Sequence, residues 1–178
     1  MSKSVNRPVV FTIGHSTHSL QDFIALLEKH SVSKVADIRT IPRSRHVPQF
    51  NQDTLSEALR AASISYTHMK TLGGLRHPIK DSPNKAWRNP SFRGFADYMQ
   101  TQDFEKGLEQ LLQLAKQDHV AIVCAEALPW RCHRSLIADA LVTQGISVQH
   151  IMPSGMLQTH TLTPWAKVQG KRITYPSI

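Results

Sequence analysis

Apolar and polar residues follow one another along the chain in two rhythms, and their succession predicts strands separated by helices. Val9-Val-Phe-Thr-Ile13 is a β-branched run that stops at Gly14, as a short buried strand does. Ser19 stands three positions before Asp22 in a helix-capping pattern, and Leu20, Phe23, Ile24, Leu26 and Leu27 follow at helical spacing. Val35-Ala-Asp-Ile38 reads as a second strand. Pro42 and Pro48 bracket a loop, after which Asp53 or Thr54 can cap a helix with Leu55, Ala58, Leu59 and Ala62 on one face. Ile64-Ser-Tyr66 restarts an extended segment, so this part of the chain reads βαβαβ.

Between Lys70 and Asn89 the period is lost, and Gly73, Gly74, Pro78 and Pro83 punctuate what reads as a lid or binding loop. Helical spacing returns over Phe92–Met99 and Phe104–Ala115, with a break near Thr101-Gln-Asp103. Val120-Ala-Ile-Val-Cys124 is the most continuous apolar run and predicts a buried central strand. A helix is expected over His133–Thr143, with Leu136, Ile137, Ala140 and Leu141 inward and Gly145 at its end, then a last strand reaching Ile151. The tail from Pro153 is expected to be irregular and to fold over the body. The 178 residues, 40% hydrophobic, suit one core. The expected fold is a single three-layer α/β domain over residues 1–178 with its core in 8–151. Its sheet should be mostly parallel, of about five strands, with helices on both faces.

Charge changes the picture from scaffold to surface. The formal net charge is +8, and +7 of it falls between Arg39 and Arg93, where seven arginines and three lysines face only Asp53, Glu57 and Asp81. Such a stretch fits either a solvated basic face or an anionic partner, a small molecule or nucleic acid. The apolar stretch from Pro8 to Ile13 is too short for a membrane span or a signal-peptide core, so a cytoplasmic protein with no membrane partner is expected. The two cysteines, Cys124 and Cys132, have seven residues between them and form no disulfide framework; a reducing compartment would keep both as thiols.

In open parallel sheets ligands bind outside the carboxyl ends of the strands, so the loops after the strands read together as one surface. Cys124 closes the central strand and Arg134 lies in the first turn of the next helix, where a thiol can be activated by Arg131, His133 or Arg134 or can simply fill core space. Glu126 is a carboxylate that should pair with Arg134 or Arg39, or else serve as an acid or base. His133 fits a phosphate ligand or proton shuttle as well as a plain first-turn histidine. Gly14, His15 and Ser16 after the first strand allow close backbone approach and hydroxyl donation. Asp37 and Arg39 flank Ile38 and can pair or bind separately, and Arg43, Ser44 and Arg45 add donors beyond Pro42. Gly73 and Gly74 offer a second close approach. The Cys and His spacing matches no metal motif, so neither a metal nor another cofactor is expected.

The set Ile13-Gly-His-Ser-Thr17, Asp37-Ile-Arg39 with Pro42 and Ser44, Tyr66, Leu72-Gly-Gly74, and Cys124-Ala-Glu126 followed by Cys132-His-Arg134 resembles the bacterial domain of unknown function 488 family, from about Thr12 to Ile151. The resemblance implies the fold and the grouping of these motifs, and no reaction. A looser likeness is to rhodanese-type and cysteine-phosphatase domains, to which Val35–Arg39 and Val120–Arg134 are similar. Six residues stand between Cys124 and Arg131, however, the loop lacks a glycine, and Glu126 would repel an anion. The leading expectation is an anionic ligand, a nucleotide or nucleic-acid end, held by Arg39, Arg45, His133 and Arg134 and acted on by Glu126 or Cys124 in a hydrolase or transferase. The alternatives are a non-catalytic nucleic-acid module stacking bases on Trp87 and Phe92, and a thiol transferase.

Overall fold

A computed structural model describes residues 8–177; residues 1–7 and 178 of the expected domain lie outside the described residues. The β-branched run forms β1 (Val9–Gly14), followed by α1 (Leu20–Lys29), whose cap Ser19 accepts from the Asp22 amide as its spacing implies. Strand β2 (Lys34–Asp37), helix α2 (Gln52–Ala61) and strand β3 (Ser65–His68) complete the first half. The residue that begins α2 is Asn51, two positions before the expected cap, and its side chain instead accepts from the Ser44 amide, 2.8 Å away, in the loop after β2. Helices α3 (Pro90–Tyr98) and α4 (Gln102–Gln117) lead to β4 (Val120–Cys124), α5 (Arg134–Thr143) and β5 (Ser147–Ile151). Gly145 has φ +81°, the left-handed turn that ends α5.

The tail is more ordered than its composition suggests. Leu157–Thr159 forms β6, antiparallel to β5, and Lys167–Gln169 (β7) pairs with Arg172–Thr174 (β8) in a hairpin. These strands are three residues long and mostly exposed, so they carry no apolar alternation to read. The main sheet runs β3-β2-β4-β1-β5-β6, parallel except for β6.

Two buried clusters sandwich this sheet. Phe23 and Leu27 of α1 and Leu55 and Leu59 of α2 meet Ile13, Val35, Ala121 and Val123 on one face. On the other, Phe95, Leu108, Leu111, Leu136 and Ile137 of α3, α4 and α5 meet Val10, Ala36, Val120, Ile122 and Cys124. Strand β4 contributes to both clusters, as a fully buried five-residue run must. The chain leaves β1 and β2 toward one face and β4 toward the other. Their loops therefore diverge at the carboxyl edge and leave a crevice there.

Candidate functional site

The crevice is a cleft of about 440 Å³ lined by three of the four strand-end loops that sequence patterning groups together, with no residue of Leu72-Gly-Gly74 in its lining. His15, Ser16 and Thr17 come from the β1–α1 turn, Arg39, Arg43, Ser44 and His46 from the loop after β2, and Ala125, Glu126 and Ala127 from the loop after β4. Ser16 has φ +45°, and its amide donates to the Ala125 carbonyl at 2.8 Å, so a strained turn is tied to the loop it faces. Gly14 is required here. A Cβ on it would stand 1.6 Å from the Glu126 carbonyl oxygen, because the β4 loop crosses directly over the end of β1.

On one wall Asp37, fully buried, accepts from Arg39 Nη2 at 2.6 Å, Arg39 Nε at 2.9 Å and Tyr66 Oη at 2.6 Å. Burial alone would lower the Arg39 pKa, but the bonds and charge of Asp37 outweigh it and raise it; burial, reinforced by Asp37, also raises Tyr66. The fork–carboxylate geometry thus fixes Arg39 as a neutralised, oriented group at the cleft edge. Its Nη1 lies 3.4 Å from His15 Nε2, while His15 Nδ1 donates to the Ser16 carbonyl and the ring stacks on Phe50 at 4.5 Å. Burial lowers the His15 pKa, which keeps the imidazole neutral beside the cation.

Behind the other wall lies a second group. Arg134 is fully buried; its Nη1 reaches Cys124 Sγ at 2.7 Å and the Glu126 carbonyl at 2.6 Å, and its Nη2 the Ala127 carbonyl at 3.0 Å. Sequence reasoning pairs Glu126 with Arg39 or Arg134 through the carboxylate. Instead Arg134 takes the backbone carbonyl, and the exposed carboxylate is left to the cleft. Cys132 Sγ lies 2.8 Å from Cys124 Sγ, and both cysteines are buried and free. His133 Nε2 donates to the Leu72 carbonyl at 3.0 Å, and its Nδ1 faces Cys132 Sγ at 3.6 Å. Burial lowers the His133 pKa to about 4.

The sequence-derived residues therefore fall into two sets back to back. His15, Ser16, Arg39, Ser44 and Glu126 line the cleft, Asp37 and Tyr66 hold Arg39 in place, Gly14 lies beneath the Glu126 carbonyl, and Arg45 is exposed on the same loop as Arg43. Cys124, Cys132, His133 and Arg134 stand behind the loop of residues 125–127. Gly73 and Gly74 connect the sets: a Cβ on Gly73 would meet Thr40 Oγ1 at 2.4 Å, and one on Gly74 would meet His133 Nδ1 at 3.1 Å. Trp87 stacks on Phe92 at 5.1 Å and meets Tyr175 and Trp165 edge-on, inside an intramolecular aromatic group. Sequence reading missed His46, whose signal was only its place in the loop after β2; Arg43, expected to add a donor there, lines the cleft.

It also missed a buried polar chain beside α5. Asp139 Oδ1 accepts from His160 Nε2 at 2.8 Å and the Thr163 amide at 3.0 Å, and Oδ2 from Tyr175 Oη at 2.7 Å. His160 Nδ1 then meets His150 Nε2 at 2.9 Å, and His150 Nδ1 meets Thr12 Oγ1 at 2.6 Å. A separate hollow of about 490 Å³ lies at the opposite edge, near Pro8 and Ile146 before β1 and β5, remote from both sets. Among the described residues no group of three or more His, Cys, Asp or Glu is placed to hold a metal ion, and no helix is long and apolar enough to cross a membrane.

An α/β protein with a mostly parallel sheet and a cleft where its strand-end loops diverge is the class that these features define. Residues 19–141 match the family model described as "Domain of unknown function DUF488", and the chain belongs to that family. The match starts just beyond Gly14-His-Ser-Thr17 and takes in both Cys124-Ala-Glu126 and Cys132-His-Arg134. No curated protein and no solved structure matches the chain.

Proposed function

We propose that the cleft binds a phosphate-bearing anion, a nucleotide or a nucleic-acid end, and that Glu126 acts on it as an acid or base in a hydrolase or transferase reaction. The observation that carries this reading is the lining itself: hydroxyls of Ser16, Thr17 and Ser44, the guanidinium of Arg43, and His46 surround a concave site at the position where open parallel sheets bind ligands. Among the described residues the arginine that pairs with a carboxylate is Arg39, held by Asp37, so Arg43 and Arg45 keep their charge for an external partner. Glu126 is the carboxylate in the lining. Arg39, saturated by Asp37, serves as a positioning group rather than as the main anion ligand.

The test is a low-salt titration with inorganic phosphate, a nucleoside triphosphate and a 5′-phosphorylated oligonucleotide, read by calorimetry and thermal shift. Binding is expected to weaken at least about tenfold in Arg43→Ala, since a charge-assisted bond is lost. Glu126→Gln should retain binding and lose turnover. Absence of both heat and thermal shift with all three probes at low salt overturns the reading. Binding indifferent to Glu126→Gln, with no turnover in either protein, reduces it to a non-catalytic site.

A further inference from the structure

The buried group behind the cleft has a charge problem with one solution. A guanidinium stays protonated at any accessible pH, and burying it without an anion is costly. Arg134 is 0% exposed, pairs with no carboxylate among the described residues, and has Nε without a partner. Its contacts are two carbonyl oxygens and one sulfur. Cys124 is the group among these that can carry a negative charge, and the Arg134 Nη1 proton points at it from 2.7 Å. The neighbouring Cys132 thiol donates to the same sulfur. Burial would raise both thiols. For Cys124 the Cys132 bond and the Arg134 charge prevail and lower it, whereas burial and the adjacent Cys124 push Cys132 well up. One proton shared between two sulfurs therefore resides on Cys132.

Geometry then separates two roles. The sulfurs are 2.8 Å apart, and a disulfide requires about 2.05 Å, so bond formation asks for closure of less than an ångström. Cys132 precedes α5 directly after the 3-10 turn Pro129–Arg131, where a small rotation can bring it forward without disturbing β4. His133 holds its Nε2 proton on Leu72 and so turns an unprotonated Nδ1 toward Cys132 Sγ at 3.6 Å.

We propose that Cys124 and Cys132 form a redox-active dithiol that reduces a small hydroperoxide, with Cys124 as the attacking thiolate and Cys132 as the resolving thiol. The Cys124 sulfur attacks one peroxide oxygen; the S–O bond forms as the O–O bond breaks, and the departing alkoxide or hydroxide takes a proton from water. Cys124 is oxidised by two electrons to the sulfenic acid and the peroxide is reduced to an alcohol or water. Cys132 then attacks the sulfenic sulfur; the S–S bond forms, the S–O bond breaks, and hydroxide leaves with the Cys132 proton as water. The sum is two thiols and one hydroperoxide giving one disulfide, one alcohol and one water. A low-molecular-weight thiol, itself oxidised to its disulfide, returns the pair to the reduced state. A small oxidant is specified because the loop of residues 125–127 stands between the sulfurs and the cleft, and Cys124 and Cys132 are only 2% and 6% exposed.

The experiment treats the fully reduced chain with stoichiometric hydrogen peroxide and follows intact mass and free thiols. The expected result is loss of two hydrogens, disappearance of both thiols, and a rate about a hundredfold above that of free cysteine at neutral pH. Cys132→Ser should stop at a gain of one oxygen, trapped by a sulfenic-acid reagent, and Cys124→Ser should not react at the free-cysteine rate or faster. Arg134→Gln should slow the first step, with the loss recovered at alkaline pH where the thiolate forms unaided. Should a serine variant fail to fold, tandem mass spectrometry of the peroxide-treated native chain still decides whether the two residues are joined. The proposal is overturned if the native chain keeps both thiols, if it reacts no faster than free cysteine, or if oxidised glutathione reacts as fast as peroxide.

Discussion

At the residue scale, the atoms that matter most at the strand ends are main-chain ones. Gly14 sits under the Glu126 carbonyl, which also receives Arg134, so one oxygen joins β1, the β4 loop and α5. A methyl group at position 14 has no room. Gly14→Ala is expected to cost about 3 kcal/mol, in the range of overpacked cores, seen as a lowered urea midpoint with unchanged slope. A loss under about 0.5 kcal/mol would mean that the loop moves aside freely. Glu126 shows why residue identity alone misleads: a carboxylate two positions from a buried cysteine looks destined for an arginine, yet Arg134 binds its backbone. Side-chain chemistry is written in the sequence, whereas which carbonyls a loop turns inward is decided by its path.

At the scale of elements, periodicity made β1, β4, α1 and α5 legible because each has one or two buried faces with regular spacing. The strand-end grouping followed from that order alone, and the cleft lies where the order places it. Strands β6, β7 and β8 were invisible for the complementary reason: their partners, rather than their own residues, make them strands. The Asp139 chain escaped notice because Thr12, His150, His160 and Tyr175 are polar positions brought together only by tertiary packing. That chain ties the tail to α5. Asp139→Asn keeps the volume and removes the charge that accepts three donors, with an expected loss of about 2–4 kcal/mol. The check is limited proteolysis: cleavage should concentrate between residues 153 and 177 before the sheet is cut. Cleavage that remains as slow as in the native chain would show that the tail is held by apolar contacts instead.

Across the whole molecule, three histidines have pKa values depressed by burial: His15, His133 to about 4, and His150 to about 3, the last lowered further by His160 and Arg134 and raised by Asp139. A group with a folded pKa below its unfolded value of about 6.5 contributes stability above pH 6.5, and that contribution is lost as pH falls toward the folded value. Between pH 6.5 and 4 the unfolded chain takes up protons that the folded chain refuses. His133 and His150 should each withdraw about 2 kcal/mol by pH 5, so acid unfolding begins well above the carboxylate range. Melting temperature measured from pH 7.5 to 4.5 should fall steeply below pH 6.5, with a shallower slope in His150→Gln. A flat profile down to pH 5 would contradict the assignment.

Strand β1 occupies the middle of the sheet, between β4 and β5, with Val10 opposite Val120 and Val148. More than a hundred residues of chain separate it from either neighbour. Until both arrive, Val9–Ile13 is a β-prone ribbon with two open hydrogen-bonding edges. Assembly of this molecule is therefore governed by its slowest, longest-range pairing. Self-association through that ribbon is expected to compete with folding in a nascent or heated chain, a liability of kinetics that the stability of the finished sheet does nothing to remove.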